Sequence, residues 1–100
     1  MTGRYNCTGC NNNFFGLNAG RYNCTGCNNN FLGRYAGCTN TIGSNNVIIG
    51  NNADVATDSL SGVVVLGTNA IATQSEQLVI GSLSNPLTGN SILYGNLAVS

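Results

Sequence analysis

Histidine, lysine and tryptophan are absent from this chain. Charge of either sign is scarce too: Arg4, Arg21, Arg34, Asp54, Asp58 and Glu76 make up 6% of 100 residues, against roughly 25% in an ordinary globular domain. Without histidine no side chain titrates near neutrality for general acid–base work, and the three carboxylates are too scattered to act as a pair. A nucleophilic cysteine would lack a base. No glycine loop has phosphate-binding spacing ahead of a helix, so the chain is expected not to be an enzyme and to need no cofactor. Three arginines make no basic surface for nucleic acid. No apolar run approaches the roughly 20 residues of a membrane span, so membrane insertion is not expected. The one proline, Pro86, breaks none of the apolar runs.

In place of charge the chain has a repeat. Asn11 to Gly16, Asn28 to Gly33, Asn45 to Gly50, Gly62 to Gly67, Glu76 to Gly81 and Asn90 to Gly95 each contain an apolar run closed by glycine. The closing residues, Gly16, Gly33, Gly50, Gly67, Gly81 and Gly95, are separated by 17, 17, 17, 14 and 14 residues on subtracting their numbers. A small side chain follows three places later: Ala19, Ala36, Ala53, Ala70, Ser84 and Ala98. Internal repeats of this kind decide the architecture ahead of any local reading. The chain divides into units 3–19, 20–36, 37–53, 54–70, 71–84 and 85–98, forming one repeat domain over residues 1–100. The last two units lose three residues each from the segment before the apolar run, which places a length-tolerant turn there.

Each apolar run is short, rich in Val, Ile, Leu and Phe, and bounded by Gly and Asn, so it reads as a β-strand, and no window carries helical periodicity. A unit of this length holds two short strands and two turns, one coil of a parallel β-solenoid. The expected fold is all-β, with about six coils rising about 4.8 Å each into a rod roughly 29 Å long. Glycine after every strand points to positive φ or close backbone approach, and the small residue beyond it to a tight corner.

Adjacent strand residues face opposite sides. From the third unit onward both sides are apolar: Ile48, Val65, Val79 and Leu93 on one, and Val47, Ile49, Val64, Leu66, Leu78, Ile80 and Ile92 on the other. A thin coil has one interior, so the second apolar side needs a cover, and a continuous apolar stripe marks an interaction surface. Self-association along the length is expected, with the second buried face beginning near Val47.

Cys7-Thr8-Gly9-Cys10 and Cys24-Thr25-Gly26-Cys27 have the spacing of a four-thiolate zinc site. Yet the two pairs lie one unit apart, and Thr41 and Ser44 hold the same columns in the third unit. The cysteines therefore read first as small ladder residues, with no metal expected; disulfides within or between coils and a metal site remain the alternatives. The odd fifth cysteine, Cys38, argues against a fully paired framework and for assembly in a reducing compartment. Asn6-Cys7-Thr8 and Asn23-Cys24-Thr25 match the glycosylation pattern but read as a repeated polar corner. Arg4, Tyr5, Arg21 and Tyr22 recur in register and, with Arg34 and Tyr35, are the candidate contacts for a glycan or receptor; solvated corners are the alternative.

Gln77-Leu78-Val79-Ile80-Gly81 and Val63-Val64-Val65-Leu66-Gly67-Thr68-Asn69-Ala70 resemble the YadA-like head repeat of trimeric autotransporter adhesins. The longer units, such as Gly43 to Ala53, resemble more closely the repeats of bacteriophage and large-virus tail fibres. The resemblance implies a left-handed β-roll and a homotrimer, intertwined or side by side. It implies a structural rod, the shaft or head of a viral tail fibre or surface adhesin supporting host attachment, with other segments of the same fibre as partners. The expected location is a virion tail fibre or the cell surface. Met1 to Asn6 lacks the features of a secretory signal, so the chain is expected to be a piece of a longer exported protein or to be assembled inside a cell. A receptor- or glycan-binding module and a self-assembling extracellular filament are the alternative readings.

Overall fold

A computed structural model of the chain describes residues 7–84, 86–89, 92 and 94–96. Among these residues there is no helix. Seven short strands follow one another: β1 (Asn13–Phe15), β2 (Asn30–Leu32), β3 (Val47–Ile49), β4 (Asp54–Val55), β5 (Val64–Leu66), β6 (Ile71–Ala72) and β7 (Leu78–Ile80). Strands β1, β2, β3, β5 and β7 form one sheet in that order, and β4 pairs with β6 in a second. Every pairing is parallel, and each residue meets its repeat counterpart: Phe14 opposite Phe31, Phe31 opposite Ile48, Ile48 opposite Val65, Val65 opposite Val79. The chain is a parallel β-solenoid of about four turns, one for each return from a strand of the large sheet to the next. No strand is described within residues 85–98, where Ile92 and Tyr94 are exposed.

The strands of the large sheet are three residues long because each is cut by a corner on both sides. On the leading side, Asn11, Asn28, Asn45, Gly62 and Glu76 share one column and all have positive φ, between 51° and 70°. Asparagine and glycine enter this left-handed region more readily than other residues. Glu76 is the exception, at φ 60°. Replacing Glu76 with asparagine should therefore stabilise the fold by roughly 0.5–1 kcal/mol, read as a higher urea midpoint at constant slope.

On the trailing side the glycine column makes the second corner. The carbonyls of Gly16, Gly33, Gly50 and Gly67 accept from the amides of Ala19, Ala36, Ala53 and Ala70 at 3.1–3.3 Å. The residue between, Asn18, Tyr35, Asn52 or Asn69, is left-handed near φ 60°. The glycine itself sits at φ 131°, 129°, 138° and 123° in these four coils. A Cβ at Gly16 or Gly33 would meet the carbonyl oxygen of the next glycine at 2.6 Å. This β-turn accounts for the glycine and for the small residue three places on, since all four alanines are fully buried.

Among the described residues second strands form only in the later coils. In the second and third coils the corresponding positions begin with Gly20 and Gly37, at φ 60° and 64°, a backbone that cannot pair as a strand. The cause lies inside: a Cβ at Gly20 or Gly37 would collide with the ring of Phe14 or Phe31, six residues earlier. Where Ile48 and Val65 replace the aromatic residues, Asp54 and Ile71 replace the glycines, and β4 and β6 appear.

The interior is half apolar and half amide. Phe31, Ile48 and Val65 stack with the alanines and with Val55, Val63 and Ala72, while Phe14 and Val79 close the two ends. The other half is asparagine: Asn23, Asn29, Asn40 and Asn46 are fully buried. The Oδ1 atoms of Asn12, Asn29 and Asn46 accept from the amides of Asn29, Asn46 and Val63 at 3.0–3.1 Å. Their Nδ2 atoms donate to the carbonyls of Gly26, Gly43 and Leu60 at 2.8–2.9 Å. Asn40 Nδ2 donates to Asn23 Oδ1 at 3.0 Å. Each of Asn12, Asn29 and Asn46 thus bonds the backbone of the following coil twice, once as acceptor and once as donor, which removes the desolvation penalty an unpaired buried amide would carry.

Candidate functional site

The broadest feature of the surface is the outer face of the five-stranded sheet. The central residue of each strand points inward, so the flanking ones point out. Phe15, Leu32, Ile49, Leu66 and Ile80 form one outward column, and Phe15 is 75% and Ile80 58% exposed. Beside them Val47 and Val64 are half-buried and Leu78 is 64% exposed. In the first two coils the neighbouring positions are Asn13 and Asn30, whose side chains bond each other at 2.9 Å. The apolar stripe therefore starts at Phe15, two coils earlier than the expectation of a second face beginning near Val47. The sequence reading missed Phe15 and Leu32, although their spacing from Ile49 shows the column.

The residues expected in the core or in a chain-to-chain seam divide between the two faces. Ile48 and Val65 are fully buried and Val79 packs against them. Val47, Val64 and Leu66 are half-buried, and Ile49, Leu78, Ile80 and Ile92 are exposed. Leu93 lies outside the described residues. Gly95 has positive φ but open space where its Cβ would lie, unlike the stacked glycines.

Disulfides join Cys7 to Cys24 and Cys10 to Cys27, with Cα atoms 4.6 and 4.7 Å apart. These spacings are the rise of one coil, so the pairs bridge coil to coil rather than closing either CxxC on itself. The ladder reading survives alongside the covalent one. The amide of Cys10 donates to Cys27 Sγ, and those of Cys27, Ser44 and Ser61 donate to the hydroxyls of Ser44, Ser61 and Ser75 at 2.9–3.1 Å. One column of four side-chain acceptors thus links five coils. Cys38 is the free cysteine of the described residues. Burial, and then the neighbouring Asp54 carboxylate, push its thiol above the ordinary range, while Arg21 opposes them. Burial likewise raises the Asp54 carboxyl, against the hydrogen bonds it accepts from Thr39 and Val55. No group of three or more Cys, Asp or Glu among the described residues is placed to hold a metal ion.

The polar candidates separate. Arg21 lies over its neighbour Tyr22, 5.0 Å from the ring centre, and Arg34 over Tyr35 at 4.5 Å. The two pairs stand at different corners: Tyr35 donates to the carbonyl of Leu17, and Arg34 accepts from Asn52, so Arg34 stacks in the column of Leu17 and Asn51. They do not make one strip. Arg4 and Tyr5 lie outside the described residues. Asn23 of the glycosylation pattern is fully buried, its Nδ2 committed to the Gly26 carbonyl, so the folded chain cannot present it to a transferase. An open hollow of about 510 Å³, lined by Asn69, Ile71, Val79, Gly81, Ser82, Leu83 and Ser84, is the end of the interior beyond β7. Among the described residues no helix is long and apolar enough to cross a membrane.

No protein family, no characterised protein and no solved structure matches this chain.

Proposed function

We propose that the chain is a structural rod segment, the shaft or head of a trimeric viral tail fibre or surface adhesin, in which copies associate along the outer face of the five-stranded sheet. The observation that carries this reading is the unbroken outward column Phe15, Leu32, Ile49, Leu66 and Ile80, widened by Val47, Val64 and Leu78. A stripe that spans every strand of the large sheet is too regular to be scattered surface apolarity, and a partner built on the same repeat covers it rung by rung. The number three, the handedness of the roll and the fibre setting come from the resemblance to trimeric adhesins and tail fibres. Residues 85–98 would complete a sixth coil. In this role the chain does no chemistry: backbone ladders and a shared apolar seam hold a receptor-binding element away from the particle or cell.

Sedimentation or mass photometry at micromolar concentration tests the seam. The intact chain should run as a trimer. A double variant, Ile49→Lys with Leu66→Lys, should run as a folded monomer, because both side chains lie outside the interior. A wild-type chain that stays monomeric at that concentration sinks the proposal. The second reading, a glycan-binding module, is favoured by the Arg21–Tyr22 pair at an exposed corner, since a guanidinium beside an aromatic face suits a sugar ring.

A further inference from the structure

Both disulfides join the same two coils. At the matching positions of the next junction, between the second and third coils, Thr41 and Ser44 stand in the cysteine columns and the chain relies on hydrogen bonds: Cys24 N–H to Thr41 O at 2.8 Å and Cys27 N–H to Ser44 Oγ at 2.9 Å. Covalent fastening is therefore confined to the N-terminal coil. Among the described residues this coil has a neighbour on one side only. A coil bonded on one side opens by losing one interface, whereas a coil bonded on both must lose two.

We propose that the two cysteine columns make the N-terminal coil a redox-operated cap, closed on the second coil when the disulfides are formed and released when a dithiol reductant opens them. Cys7 and Cys10 are exposed at the surface, so a reductant can reach both bridges. A thiolate of the dithiol attacks one sulfur, forming a mixed disulfide and releasing one protein thiolate. The second thiol of the reductant then displaces the other sulfur and leaves as part of a cyclic disulfide. Each bridge takes up two electrons and two protons and becomes two thiols, so full release consumes two dithiols.

What remains afterwards is a junction held by hydrogen bonds and packing alone. The column that reads Ser44, Ser61 and Ser75 further along supplies only a thiol at this step, and sulfur accepts hydrogen bonds poorly. The Phe14–Phe31 ring stack at 5.0 Å, the three-residue strand pair, the side chains of Asn12 and Asn13 and the backbone bonds between the two coils are left to hold the coil. Its departure would bare the edge of β2 and the amides of Asn28, Gly33 and Tyr35, which now donate to Cys10, Phe15 and Leu17.

Hydrogen–deuterium exchange on the intact chain, with and without dithiothreitol, tests the cap. Reduction should speed exchange at Asn28, Gly33 and Tyr35 at least tenfold and leave Gly67 and Asn69, which donate to the third coil, unchanged. A variant carrying the third coil's residues, Cys7→Thr, Cys10→Ser, Cys24→Thr and Cys27→Ser, should show no response to the reductant. Two results would overturn the proposal: unchanged exchange in wild-type chain whose four freed thiols are confirmed by alkylation and mass, or an equal rise in every coil. The latter would make the bridges a fastening of the whole fold instead of its end.

Discussion

Replacing Asn29 with alanine should lower stability by about 4 kcal/mol, since an orphaned buried polar group costs about 1–3 kcal/mol and two are created. The two groups are the Gly43 carbonyl and the Asn46 amide, both now bonded to the Asn29 side chain at 2.9 and 3.1 Å. The Asn23 Oδ1 atom also loses one of its two donors, keeping Asn40. Asn29→Leu provides the discriminating comparison. Leucine fills about the same volume, so if the position only packed, that variant would match the wild type. If the amide ladder holds the coils in place, leucine should cost nearly as much as alanine. Urea unfolding at equal protein concentration reads both, and a leucine variant as stable as wild type would remove the ladder from the account of this fold.

Gly50→Val should cost a comparable amount, about 4 kcal/mol from a strained backbone at roughly 1–3 kcal/mol and overpacking at roughly 1–3 kcal/mol. Gly50 sits at φ 138°, and a Cβ there would run into the carbonyl oxygen of Gly67 on the next coil. The obstacle is backbone, so no side-chain rotation relieves it, and the two coils would have to part. Asn51→Ser, one residue along, is the control: its side chain is exposed and the backbone carbonyl that accepts from Asn69 is retained. That control should shift the urea midpoint by less than about 0.5 kcal/mol. Equal effects at the two positions would mean that the closing glycine is not the corner it is taken for here.

Much of this architecture was legible because a solenoid writes its third dimension into sequence spacing. Phe14, Phe31, Ile48, Val65 and Val79 share a column in the alignment and share a stack in space, so the strand pairing and its register follow from subtraction. The glycine and alanine columns announced a corner for the same reason. What escaped the reading concerns direction. Asn12, Asn29 and Asn46 stand among turn-forming residues, and their polarity suggests a surface, yet their side chains turn inward, where one amide reaches both a donor and an acceptor on the backbone of the following coil. Phe15 and Leu32 escaped because their neighbours Asn13 and Asn30 made the outer face look polar in those coils. The cysteines offered two readings that spacing could not separate: stacking at one coil's rise suits a ladder of small residues and also suits a bond between sulfurs. The second strand expected in every coil was withheld from the early ones by the bulk of Phe14 and Phe31, a size constraint acting across six residues that no propensity registers.

The shortened coil bears on how such a chain changes over time. Residues 71–84 omit three positions, yet Leu78, Val79 and Ile80 meet Val64, Val65 and Leu66 without any slip. The missing residues come from the perimeter between β6 and β7, so the circumference of a coil can be edited while its rungs stay aligned. A duplicated unit, such as the near-identical pair that opens the chain, enters as a complete layer already matched to the layers above and below. Length in this molecule is therefore a copy number, adjustable by whole layers without redesigning any contact, and reach can evolve independently of whatever the rod carries.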